Sequence, residues 1–87
     1  MANSSTEMAI FQRVAERGSF AGAAEDLGLS PSAVAKLISR LEDRLGVRLI
    51  NRTTRRLALT AEGEFYLEHA RQIVQRAYLK MRLFLRV

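Results

Sequence analysis

The chain has 87 residues and a mass of 9.8 kDa, which suits one small domain in the usual span of about 50 to 250 residues. Apolar residues make up 48% and charged residues 26%, a globular balance that argues against disorder. No cysteine and a single histidine, His69, exclude disulfides, thiolate chemistry and multi-histidine metal centres, while a net charge of +5 points to a polyanionic partner.

The first predicted element is an amphipathic helix from Ser5 to Gly18, with Met8, Phe11, Val14 and Ala15 on its apolar face and Ser5 or Thr6 as cap. Ser19 caps a short second helix whose apolar face is Phe20, Ala23, Ala24 and Leu27, and Gly28 ends it. A third helix starts at once, with Ser30 as cap and Pro31 in the first helical position, where a missing N–H is harmless. Val34, Leu37, Ile38, Leu41 and Leu45 form its apolar stripe up to Gly46, opposite Ser32, Ala35, Lys36, Ser39, Arg40 and Asp43. The runs Arg48–Asn51 and Arg56–Leu59 then predict a small β-hairpin. Thr60 caps a last helix that can run from Ala61 almost to Val87, with Leu67, Ala70, Val74, Ala77, Met81 and Phe84 as a coiled-coil seam.

The positive charge is concentrated. Residues 1–29 hold two basic and four acidic groups, residues 30–60 seven and two, and residues 61–87 five and three. The middle third alone therefore carries a net +5. Mixed surfaces usually intersperse their signs, so this asymmetry favours a face for phosphates. No apolar run approaches the ~20 residues of a membrane span, and the N-terminus lacks a secretory layout. A cytoplasmic location is expected.

Two helices joined by a glycine turn form a helix-turn-helix. Small Ala24 permits a close crossing, Gly28 makes the turn four residues later, and Val34 and Leu37 fill the angle. The hairpin after the third helix adds a wing with Arg52, Arg55 and Arg56 at its tip. Arginine suits phosphate contact and insertion into a narrow minor groove, and the helix start at Pro31–Ala33 attracts anions. The predicted fold is thus mainly α: a winged helix-turn-helix with a three-helix core, followed by a long linker helix.

The stretches Phe11–Val34 (FQRVAERGSFAGAAEDLGLSPSAV) and Ile38–Gly63 (ISRLEDRLGVRLINRTTRRLALTAEG) resemble the N-terminal DNA-binding domain of the LysR-type transcriptional regulators, and the resemblance covers roughly residues 8–77. It implies sequence-specific binding of double-stranded DNA at interrupted palindromes near promoters, and homodimerisation through the last helix. It further implies a DNA-binding domain over residues 1–60, a linker and dimerisation helix over 61–87, and a larger effector-binding domain expected to be absent from this chain.

Carried over by position, the resemblance makes Ser30, Pro31, Ser32, Lys36 and the wing arginines the expected DNA contacts, while Ala35 and Arg40 complete the candidate face. The family usually has serine then arginine where this chain has Ala35-Lys36, and often glutamine then proline where it has Pro31-Ser32. Alanine packs on a thymine methyl but donates nothing, and lysine lacks the arginine fork that reads guanine. Thinner direct readout and more phosphate and shape readout are expected.

Plainer roles remain open for several residues. Arg40 has Glu42, Asp43 and Arg44 nearby for ordinary surface pairing, and Arg55 can simply be solvated. Neighbouring carboxylates such as Glu25 and Asp26 diverge by about 100° on a helix and cannot act as an acid–base pair. No reaction and no cofactor or metal is assigned. Two other classes fit the same charge: a helical protein-interaction module with a basic face, and a peripheral binder of anionic membranes.

Overall fold

The computed structural model describes residues 4–52 and 57–85. Four helices run in order: α1 (Ser4–Arg17), α2 (Phe20–Leu27), α3 (Pro31–Leu45) and, after a hairpin, α4 (Ala61–Leu85). The hairpin pairs β1 (Ile50–Asn51) antiparallel with β2 (Ala58–Leu59), in the register Ile50 to Leu59 and Asn51 to Ala58. Among the described residues two residue pairs meet on the ladder, fewer than the runs Arg48–Asn51 and Arg56–Leu59 suggested, and Arg56 lies outside the described residues. Ser5 and Thr6 lie inside α1 rather than at its cap, since the helix begins at Ser4.

Local chemistry sets most boundaries. The Ser19 hydroxyl accepts the Gly22 N–H at 2.9 Å and the Ser30 hydroxyl accepts the Ala33 N–H at 3.1 Å, so each caps the helix that follows. Gly28 and Gly46 take left-handed φ values of 69° and 73°, and their N–H groups donate to Ala24 and Glu42 carbonyls. A side chain would strain both turns.

One core joins all the elements. Ile10, Phe11 and Val14 of α1 meet Ala23 and Ala24 of α2, Val34, Ile38 and Leu41 of α3, and Leu49 and Ile50 at the hairpin. Ile10 was not anticipated. Leu45, expected on the buried stripe, is 38% exposed, because it sits in the last turn of α3 beyond the core.

The start of α4 belongs to this same core. Tyr66 packs edge-on against Phe11 with centroids 5.2 Å apart. Ala70 is fully buried and Leu67 packs on the core, so two of the six seam positions are engaged within the chain. Gly63 permits the approach: a Cβ there would lie 2.0 Å from the Leu49 carbonyl oxygen. Thr60 fastens the junction, accepting the Gly63 N–H at 2.9 Å and donating its hydroxyl to the Arg48 carbonyl at 2.6 Å. Beyond Val74 the helix leaves the core, and Tyr78, Leu79, Met81, Leu83, Phe84 and Leu85 are exposed.

Candidate nucleic-acid interface

The apolar stripe of α3 faces the core, which leaves the opposite face to solvent. Ser30, Pro31, Ser32, Lys36 and Arg40 are exposed, and Ala35 and Ser39 are half-buried. Ser32, Lys36, Ser39 and Arg40 recur at three- and four-residue spacing, so they share one side of the helix. Small groups cluster at its N-terminal end and long cations lie farther along. The Ser30 and Ser32 hydroxyls are 3.3 Å apart at the helix start. A phosphate or base edge can approach this end without meeting bulk.

Ion pairing separates the cations into two populations. In α1, Arg17 meets Asp26 at 2.5 Å and Glu25 at 3.4 Å, and Arg13 meets Glu16 at 3.4 Å and Asp26 at 3.8 Å. The hydrogen bond to Asp26, supported by that to Glu25, pushes the Arg17 guanidinium further above its ordinary range. Arg44 pairs with Glu7 across α3 and α1. Among the described residues, Lys36 and Arg40 have no ion pair, so their charge is fully available to an incoming anion.

Glu42 differs from its expected role. It is a buried carboxylate, 5% exposed, not a surface partner for Arg40. Its Oε2 accepts the N–H groups of Leu49 at 2.8 Å and Ile50 at 3.1 Å. Its Oε1 lies 3.1 Å from Arg52 Nη2 and 3.8 Å from Arg48 Nη1, close enough for ion pairing but without hydrogen-bond geometry. A buried carboxylate carries a desolvation penalty of several kcal/mol, and only such a set of charge-assisted partners offsets it. One sequence signal was present: Glu42 continues the row Val34, Ile38 at four-residue spacing, on the inward side of α3.

Arg52 sits at the root of the wing, directly after β1, rather than at its tip. Besides meeting Glu42, its guanidinium lies 5.5 Å from the centroid of the Phe20 ring, a cation–π geometry, and 31% of the side chain remains exposed. Arg55 and Arg56 lie outside the described residues. A cavity of about 640 Å³ between α3 and the wing root is lined by Ser39, Glu42, Asp43, Gly46, Val47, Arg48 and Arg52. Among the described residues no helix is long and apolar enough to cross a membrane.

The sequence pattern of the bacterial regulatory helix-turn-helix proteins of the lysR family matches residues 5–64. The chain is 49% identical over 75 residues to the HTH-type transcriptional regulator CrgA of Neisseria meningitidis, which covers 86% of this chain and 25% of that protein. It therefore spans about a quarter of the length of that relative. Among solved structures, the BenM DBD in complex with catB site 1 DNA superposes with a TM-score of 0.89 at 26% identity, covering 94% of this chain and 92% of that one. The CbnR DBD–DNA complex superposes with a TM-score of 0.81 at 34% identity, covering 97% and 100%. Shared sequence and shared architecture agree, and the chain belongs to the lysR family of bacterial regulatory helix-turn-helix proteins, with that family's winged helix-turn-helix fold.

Proposed function

We propose that this chain binds double-stranded DNA sequence-specifically, as the DNA-binding domain of a LysR-type transcriptional regulator. The observation that carries this reading is the outer face of α3, where Lys36 and Arg40 stand without ion pairs among the described residues, beside small Ser30, Ser32 and Ala35. Such a low, cationic profile suits a helix that enters the major groove. Related domains resolved on DNA, those of BenM and CbnR, share the fold.

In this reading Lys36 and Ala35 meet base edges. Ser30, Pro31, Ser32 and Arg40 meet phosphates near the helix start and flank, and the wing with Arg52, Arg55 and Arg56 follows the adjacent backbone or minor groove. Residues 1–60 form the reading unit, and 61–87 form a linker and dimerisation helix. Two copies pair through the seam that includes Val74, Ala77, Met81 and Phe84, where Phe84 is 83% exposed. Leu67 and Ala70 support that seam from the core side. A two-fold dimer then reads an interrupted palindrome with half-sites whole helical turns apart. The protein acts in the cytoplasm as a regulator, with no reaction or cofactor of its own.

Selection of bound duplexes from random DNA, followed by gel-shift titration of the selected site at rising salt, tests the reading. A symmetric consensus and affinity falling steeply with salt are expected. Absence of any shift at low salt overturns it.

A further inference from the structure

Among the described residues the hairpin's ladder shows two residue pairs, and isolated two-stranded hairpins are marginal in water. Contacts outside the ladder therefore bear on the wing's orientation. The Leu49 and Ile50 side chains and Thr60 anchor the base in the core. Glu42 adds a different link, because it projects from the helix that bears the outer reading face. Its Oε2 holds the two N–H groups that lead into β1, and its Oε1 draws in Arg52, the last described residue before the wing tip. Arg52 in turn rests on Phe20, the first residue of α2. One carboxylate thus connects α3 and the wing root, and through Arg52 reaches α2.

We infer that Glu42 is a positioning residue for DNA recognition: it sets the wing against α3 through Arg52 without touching DNA itself. Buried and negatively charged, it is unsuited to any phosphate contact. Its role is to make the placement of the wing depend on the helix that reads the groove. The DNA part of this inference rests on the function proposed above, whereas its geometric part does not.

Substituting Glu42→Gln separates folding from positioning. The amide oxygen still accepts the Leu49 and Ile50 N–H groups, but its NH₂ then faces Arg52, and two donors cannot pair. Because the chain has no cysteine, cysteines placed at exposed Asp43 on α3 and Ala58 on β2 can carry nitroxide labels for pulsed distance measurement in the free protein. A narrow distribution is expected for the otherwise native chain and a broader one for E42Q. On a duplex selected from random DNA, E42Q should weaken binding roughly tenfold and Arg52→Ala at least as much, since it also removes a cation from the wing root; both should lose hydroxyl-radical protection under the wing, and the double variant should lose no more than Arg52→Ala alone. Should E42Q not melt cooperatively, R52A, which keeps the carboxylate on both N–H groups, carries the distance measurement in the free protein, where a direct DNA contact plays no part. Superimposable distance distributions, or losses that multiply in the double variant, overturn the inference. If the native chain binds no duplex, the functional reading falls, and the distance measurement still decides the positioning role.

Discussion

The outer face of α3 and the junction where α4 joins the core lie close in sequence, yet they obey opposite rules. At the junction most polar groups find partners within the chain: Gly63 lies against the Leu49 carbonyl, Thr60 makes two hydrogen bonds, and Glu42 Oε2 accepts two N–H groups, while the Tyr66 hydroxyl is an exception. On the outer face Lys36 and Arg40 have no ion pair among the described residues, and the groups around them are small or polar. A region that satisfies itself holds structure. One that leaves charge unmatched awaits a partner. Counting charges does not separate the two, since Arg44, Arg48 and Arg52 sit in the same basic third and face carboxylates within the chain.

The contrast can be broken most forcefully at Gly63. A Cβ there would overlap the Leu49 carbonyl, so Gly63→Ala should destabilise the fold by about 3 kcal/mol. Thermal melting by circular dichroism reads this, and an unchanged midpoint would remove the junction from the core. Lys36→Ala with Arg40→Ala should do the reverse. DNA affinity should fall by at least about tenfold, since each good base contact contributes about 1–3 kcal/mol, while the melting midpoint stays within a degree or two. A matched loss of both would show that the outer face is structural.

Tyr66 gives a smaller test inside the junction. Its hydroxyl is buried with no hydrogen-bond partner among the described residues. Burial, and secondarily the Glu7 carboxylate, raises the phenol above its ordinary range, with Arg44 partly opposing. A raised value in the folded state means a contribution to stability present below the unfolded pKa of about 10 and lost as pH climbs through the folded value. Tyr66→Phe should therefore leave neutral-pH stability within about 1 kcal/mol and flatten part of the alkaline decline. A decline as steep as in the native chain would assign it to other groups. The least effect is expected at Arg17, a cation already matched by Asp26 and Glu25: Arg17→Ala should change DNA affinity by less than about twofold. A large loss would show that paired cations also read DNA.

Much of the fold was legible because its signals are local. Ser19 and Ser30 cap the next helices through N–H groups three residues away, and Gly28 and Gly46 are the left-handed stops. The positions 24, 28, 34 and 37 that define the helix-turn-helix follow from helical spacing alone. The site was legible only in part. Lys36 and Arg40 emerged on the expected outer face, but Arg52 was read as a free wing cation and Glu42 as a surface carboxylate. The error has a physical source: an ion pair is a relation between elements, and the sequence gives each charge without its neighbour.

The same division holds for the molecule as a whole. Sequence by itself determined which segments form helices, where α2 and α3 start and stop, and which face of α3 is apolar, because caps, glycine turns and helical periodicity act within a few residues. Tertiary structure alone decided which charges remain available. Packing brings Glu42 to Arg52 and the Leu49 and Ile50 N–H groups, and Arg17 to Asp26, while among the described residues it brings no carboxylate into an ion pair with Lys36 or Arg40. Coulomb attraction over a few ångströms depends on positions that only packing sets.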